Sequence, residues 1–347
     1  MGSVKDLVVT EQPTQNRMGY GTFHFSDRYS VFDWGEMPDH IANKGAALCA
    51  MSAYFFEALR RRGVFTHYIG VGNDGRFGSI ERIIEPPTQM HILLSRVLKP
   101  EFRDGEYGYS AFQMEKGNFV IPLEVIYRNS LPKGSSVFRR LREGSLTLGE
   151  LGLSEMPPEG FCFPKPFVDG STKYEEFDRY PGWEALQRIS GLTDPELEEL
   201  KEYVLLANEV ITEGVARAGF VNEDGKFEFA FNPQRRLALV DTVGTLDECR
   251  FTYSGVDASK QIPRDYYKAK QPEWVVEIDA AKKRDKKEWK RFVKAKPEPL
   301  PASLREILEN LYPAVANAVL DRQLFAGMPF VDEVIGEYER FKTAEMS

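Results

Sequence analysis

The chain has 347 residues, 45 Lys and Arg against 53 Asp and Glu, a formal net charge of -8, and 42% apolar residues that include 24 Phe and 15 Tyr. That is enough apolar side chain to fill a core, and at roughly 150 residues per domain the length suggests two domains, which excludes a disordered chain and a fibre. The acidic balance argues against a protein that coats nucleic acid, because that task depends on Lys and Arg neutralising phosphates.

Residues 4 to 32 read first as two strands, VKDLVV and GYGTFHF, separated by the turn-forming EQPTQN. Lys44-Gly45 then opens a helix in which Leu48, Met51, Phe55, Ala58 and Leu59 recur at helical spacing; Arg60, Arg61 and Arg62 close it and Gly63 stops it. Short strands are expected near 67–71, 79–84, 91–98 and 119–128. Gly70, Gly72 and Gly75 spell GxGxxG, but a strand-like SIERII follows where a dinucleotide site needs a helix, so Asn73-Asp74-Gly75 reads as a hairpin turn. A helix over 193–218 has Thr193 or Asp194 as cap, Pro195 in its first turn, and Leu197, Leu200, Val204, Ala207 and Ile211 on its buried face. KFEFAF and RLALVD form a hairpin around Asn232-Pro233, and a helical C-terminal third follows. The expected architecture is α+β, with a smaller β-rich lobe over residues 1–100 and a larger mixed lobe over 101–347.

Cys49, Cys162 and Cys249 are far apart and without a CxxC pair, which fits neither a disulfide framework nor a structural zinc site and points to a reducing cytoplasm. No apolar stretch approaches the ~20 residues of a membrane span, and the N-terminus carries no signal-peptide pattern. His24, His40, His67 and His91 show no metal-ligand spacing, and GxSxG is absent. The basic run from Lys282 to Lys296, interleaved with Trp289 and Phe292, reads as a solvated helix face.

Two segments carry chemistry. Ser26-Asp27-Arg28-Tyr29-Ser30-Val31-Phe32-Asp33 crowds polar groups at a strand end, where turn formation and binding are equally good readings. In the hairpin, pairing Phe231 with Arg236 would set Glu228 opposite Leu239 and Lys226 opposite Asp241, so that Lys226, Glu228 and Asp241 share a face and Phe227, Phe229 and Phe231 take the other. Two carboxylates placed diagonally could reach one hard cation such as Mg²⁺; the plain alternative is a solvated face with one Lys226–Asp241 pair.

Several of these segments together resemble the SAICAR synthetase (phosphoribosylaminoimidazole-succinocarboxamide synthase) family. SDRYSVFD is similar to the family's TDRISAYD, and KGAALCAMSAYFFEALRRRGVFTHY to its KG-led helix ending in T-H-(F/Y). IPLEVIYRN, GSTKYEEFD, EDGKFEFAF, LVDTVGTLDECRF and SKQIPRD match further motifs in order, from about residue 2 to 267. The resemblance implies a two-lobed fold of kinase or ATP-grasp kind and an ATP- and Mg²⁺-dependent ligase of purine biosynthesis. Such an enzyme joins the carboxylate of carboxyaminoimidazole ribotide (CAIR) to L-aspartate. It implies Lys226, Arg250 and Asp33 at the reaction centre, with Lys5, Lys226 and Glu228 at the nucleotide and Glu228 and Asp241 on the metal. Substrate would be held by Asp27, Ser30, Lys44, Gly45, Arg128, Ser135, Arg250, Lys260 and Arg264, with Arg128 and Ser135 on the ribotide phosphate. Partners would be small molecules, with no nucleic acid or membrane and with room for a homo-oligomer.

The sequence departs from the family pattern at Ser3, where a phosphate-facing lysine is usual, and at Thr242, Cys249 and Ala230. Inserts near 70–78 and 100–118 and the long C-terminal region match no part of it. These departures leave open a ligase with another acceptor or amine, and a silent nucleotide-binding regulatory protein.

Overall fold

The computed structural model describes residues 4–285 and 288–346; Ser3, Lys286 and Lys287 therefore lie outside the described residues. Among the described residues the fold is built on two antiparallel sheets. The first contains β1 (Lys5–Glu11), β2 (Gly19–Phe25), β3 (Tyr68–Asn73), β4 (Arg76–Gly78) and β5 (Gln89–Leu94), in the order β1-β2-β5-β3-β4. The GxGxxG segment is the β3–β4 hairpin: Asn73 pairs with Arg76, and Asp74 and Gly75 both take positive φ, 51° and 75°, as a two-residue hairpin turn demands. The strand expected over 79–84 is instead a single 3₁₀ turn at Ile80–Arg82. Ser79 caps it, and the Glu57 carboxylate accepts bonds from Ser79 Oγ (2.7 Å) and Ile80 N (2.8 Å), so local side-chain bonding replaces a ladder.

Helix α1 (Lys44–Arg61) lies behind this sheet and is buried along most of its length. A small hairpin, β6 (Glu101–Arg103) and β7 (Glu106–Gly108), and the short α2 (Ser110–Met114) lead to the second sheet. That sheet contains β8 (Phe119–Leu131), β9 (Phe161–Thr172), β10 (Phe220–Phe231), β11 (Leu237–Val240), β12 (Cys249–Tyr253) and β13 (Val256–Asp257). Its order is β13-β12-β10-β8-β9, with β11 also on β10. Helix α3 (Ser136–Glu143) follows β8, and α4 (Trp183–Ser190) precedes α5 (Asp194–Ala216). The start of α5 is set by Glu196, whose carboxylate accepts the Thr193 N–H at 2.8 Å, and its end by Gly219 at φ 84°. The C-terminal third supplies α6 (Gln261–Lys270), α7 (Pro272–Arg284), α8 (Ala302–Leu320) and α9 (Val331–Glu345), with α8 packed against α1 and α9. The basic run is not one helix face: α7 ends at Arg284, and Trp289–Phe292 form a separate 3₁₀ turn with Trp289 buried.

The hairpin register differs by one residue from the expected one. Phe231 pairs with Leu237 and Glu228 with Val240, because the connection holds five residues, Asn232 to Arg236. Asn232 Oδ1 accepts the Gln234 and Arg236 N–H groups, and Arg235 takes φ 58°, which closes the longer loop. Phe227, Phe229 and Phe231 do occupy the buried face.

Candidate active site

Alternation along β10 puts Lys226 and Glu228 on one face, as expected, but Asp241 joins them by another route. It lies just past the end of β11 at φ 68°, and this left-handed residue turns the chain so that its carboxylate enters the same cavity as Glu228. Lys226 does not face Asp241; it pairs with Glu124 on β8 at 2.8 Å and approaches Glu248 at 3.5 Å and Glu228 at 3.6 Å. Asp241 is held by Lys5 at 2.8 Å, and Glu228 by Lys173. Three lysines and four carboxylates thus interlock where the two sheets meet.

The electrostatics separate the two central carboxyls. Burial and the Asp241 charge push the Glu228 carboxyl above its ordinary range, against Lys173 and Lys226. Burial acts on Asp241 in the same direction, but Lys5, Lys173 and Lys226 outweigh it and hold that group ionised well below the usual carboxylate range. Lys226 stays firmly protonated despite burial because Glu248, Glu124 and Glu228 surround it.

From these groups a cavity of about 460 Å³ extends between the sheets, walled by Leu7, Phe23, Ile92, Leu94, Val120 and Val240 and reaching Lys173, Glu228 and Asp241 at its polar end. An apolar slot with a charged end suits a planar base joined to phosphates. His67, also in the wall, meets the Asp241 backbone: Nε2 lies 3.0 Å from that carbonyl, so Nε2 carries the proton and donates it.

A second constellation runs across the other half of the large sheet. Arg128 on β8 and Arg250 on β12 are both registered with Asp224 on β10. Arg128 lies 3.7 Å from Asp224 and 3.4 Å from Asp169, which also binds Arg140, and Arg250 lies 3.9 Å from Asp224. Arg128 Nε, Arg140 Nε and Arg250 Nη1 are buried with no hydrogen-bond partner among the described residues. Three guanidiniums against two carboxylates, with donors left over, form a surface prepared for an anion. Ser135 caps α3 beside it, with its Oγ 3.5 Å from Val137 N, and Ser136 Oγ is 3.3 Å from Arg128. Burial and the neighbouring Arg264 lower the Lys260 pKa, and burial with Arg250 lowers that of Arg264, so positive charge is crowded here as well.

The remaining sequence candidates have structural partners. Asp27 Oδ1 accepts the Gly45 N–H at 3.0 Å, and Ser30 Oγ the Gly35 N–H at 3.3 Å. A Cβ on Gly45 would stand 2.8 Å from the backbone of Ser26, which is why α1 needs glycine where it crosses the end of β2. Lys44 is fully buried in an ion pair with Asp247 at 2.6 Å, and Asp247 also accepts the Tyr312 hydroxyl at 3.0 Å. Asp33 is exposed and pairs with Lys282 at 2.7 Å. Sequence reading did not single out Lys173, Glu124, Asp224, Asp169 or Arg140. The first three stand inside quoted motifs (GSTKYEEFD, IPLEVIYRN and EDGKFEFAF), whereas Asp169 and Arg140 gave no signal. Among the described residues no group of three or more His, Cys, Asp or Glu has metal-holding geometry, and no helix is long and apolar enough to cross a membrane.

Comparison with known proteins bears on these constellations together. The profile of SAICAR synthetases matches residues 1–281. A protein of Archaeoglobus fulgidus that bears the provisional name phosphoribosylaminoimidazole-succinocarboxamide synthase is 44% identical over 97% of this chain and 98% of its own. Of solved structures, the SAICAR synthase of Saccharomyces cerevisiae complexed with SAICAR superimposes with a TM-score of 0.61 at 19% identity, covering 92% of this chain and 93% of that one. A SAICAR synthetase in complex with ADP gives 0.56 at 22% identity, covering 86% and 99%. Both share the two-lobed α+β fold described above.

Proposed function

Given that this chain belongs to the SAICAR synthetase family, we propose that it uses ATP to join the carboxylate of CAIR to the amine of L-aspartate, releasing ADP and phosphate. The observation that carries the residue-level reading is the Glu228–Asp241 pair, ringed by Lys5, Lys173 and Lys226, at the polar end of an apolar slot of nucleotide size.

A carboxylate is a poor electrophile. Transfer of the γ-phosphoryl group to a carboxylate oxygen makes an acyl phosphate; the aspartate amine then attacks the carbonyl carbon, the C–O bond to phosphate breaks and the amine loses a proton. The protein's part is alignment and charge neutralisation. The first sheet, with residues 1–100, covers the base, and the second, within 101–347, carries the phosphates and the ribotide. Lys5, Lys173 and Lys226 face the phosphates. Arg128, with Ser135 beside it, grips the ribotide phosphate through the fork that matches a phosphate monoester, and Arg250, with Lys260 and Arg264, binds the acceptor carboxylate. Asp27, Ser30 and Asp33 line the imidazole side, Asp33 nearest the acceptor, with Lys44 and Gly45 fixing that wall from behind.

Mg²⁺ fits the donor set: Glu228 and Asp241 supply hard oxygens to one cavity, burial and their mutual repulsion raise Glu228, and Glu248 Oε2, 3.5 Å from Lys226, is buried with no hydrogen-bond partner among the described residues. Glu228 and Asp241 would hold the ion. Bound there, it would neutralise charge on the phosphates. The three free cysteines suit a reducing cytoplasm. Calorimetric titration of ADP tests the site: affinity should rise on adding Mg²⁺ in the parent and not in Asp241→Asn. Equal Mg²⁺ enhancement in both proteins would remove Asp241 from the nucleotide site.

A further inference from the structure

The loop that carries Asp33 holds an unusual backbone. Phe32 and Asp33 are consecutive non-glycine residues at positive φ, 53° and 60°. Such conformations persist only where the surroundings impose them, and they concentrate at functional sites. The Trp34 N–H closes the turn locally by donating to the Val31 carbonyl at 3.0 Å, and the rings that flank it pack against the C-terminal third of the chain. Trp274 meets the Phe32 ring edge-on at 5.9 Å and the Trp34 ring at 5.5 Å, and Trp289 meets Trp34 at 6.0 Å. Lys296 lies over the Trp34 ring at 5.1 Å. Lys282 on α7 then reaches Asp33 itself at 2.7 Å.

The Asp33 end of that ion pair is exposed, but the lysine end is covered. The Lys282 side chain is 17% exposed, its ammonium lying 5.1 Å from the Trp289 ring centre and 5.8 Å from that of Phe177. Partial desolvation strengthens its hold on Asp33, and the rings limit where the lysine can go. The Asp33 charge is felt in turn by Arg264 and by Asp178. Lys282, Trp289 and Lys296 all lie beyond residue 281, where the family profile ends, and within the basic run that had no role in the site.

We propose that Lys282 is a positioning residue for Asp33: α7 and residues 289–296 clamp loop 31–35 in its left-handed turn, and Lys282 holds the Asp33 carboxylate toward the acceptor substrate. This rests on the reading of Asp33 as the group nearest CAIR. The basic run is therefore used from its inner side.

The test uses the full-length enzyme with Lys282→Met, Lys282→Arg, Asp33→Asn and the Lys282→Met/Asp33→Asn double variant, each followed by kcat, by KM for all three substrates and by urea unfolding. Lys282→Met should raise KM for CAIR about tenfold at unchanged KM for ATP and unchanged unfolding midpoint, and it should add nothing in the Asp33→Asn background, as expected for two residues acting as one unit. Lys282→Arg should restore most of the loss. Unaltered kinetics in Lys282→Met, or losses that multiply in the double variant, would overturn the proposal. Unaltered kinetics in Asp33→Asn would overturn the reading of Asp33 on which it stands.

Discussion

Replacing His67 by Phe should remove a specific acid sensitivity from the fold. His67 is 3% exposed, and burial, outweighing the attraction of Asp241 and reinforced by Lys5, lowers its pKa from 6.5 to about 4. The folded protein therefore keeps the ring neutral at a pH where the unfolded chain binds a proton. Because the folded pKa is the depressed one, the stability tied to it is complete above about pH 6.5 and is lost as pH falls toward 4. Each tenfold difference in proton affinity is worth about 1.4 kcal/mol, so the loss approaches roughly 3 kcal/mol and reaches about 2.5 kcal/mol by pH 4.5. Urea unfolding of parent and His67→Phe from pH 7.5 to 4.5 measures it. The variant should be less stable at pH 7.5 by about 1 kcal/mol, for the lost bond to the Asp241 carbonyl, and the gap should close and then reverse on acidification. Parallel stability curves would show that His67 titrates normally and that its contact with Asp241 is not buried in solution.

Three further outcomes follow from the same geometry. Glu228→Gln and Asp241→Asn should each lower kcat by about 10²-fold or more at saturating Mg²⁺ while leaving the far-ultraviolet circular dichroism unchanged; activity within a few-fold of the parent would remove that carboxylate from the phosphate site. Arg128→Lys should raise KM for CAIR far more than for ATP or aspartate, since lysine keeps the charge and loses the fork; a shift confined to ATP would assign the arginine row to the nucleotide. Gly45→Ala should lower unfolding stability by about 1–3 kcal/mol, because its Cβ would press on the backbone of Ser26; a neutral result would mean that α1 can move off β2 freely.

Local chemistry was legible in the sequence wherever neighbours along the chain decide the outcome. The β3–β4 turn at Asp74-Gly75 and the α5 start at Thr193 depend on residues within a few positions, and both stand as read. The β10–β11 register failed because it depends on one residue of loop length, which Asn232 sets through its side-chain bonds. Glu228 and Asp241 still share a cavity, because the left-handed turn at Asp241 compensates for the shift. Lys173, just past the end of β9, and Glu124 on β8, 102 residues before Lys226, reach the same cluster from far along the chain, so spacing alone could not bring them in. Asp169 and Arg140 are similar: their only sign is the shared carboxylate oxygen that the β8–β9 pairing creates.

Coupled detection of ADP and the amide product addresses the proposed reaction most directly, with purified protein, Mg²⁺, ATP, CAIR and L-aspartate, and with each substrate omitted in turn. ADP and SAICAR should appear together in equal amounts, and each omission should abolish the amide. ADP and amide formed without CAIR or with another amine in place of aspartate, or nucleotide binding with no turnover when all three substrates are present, would contradict it.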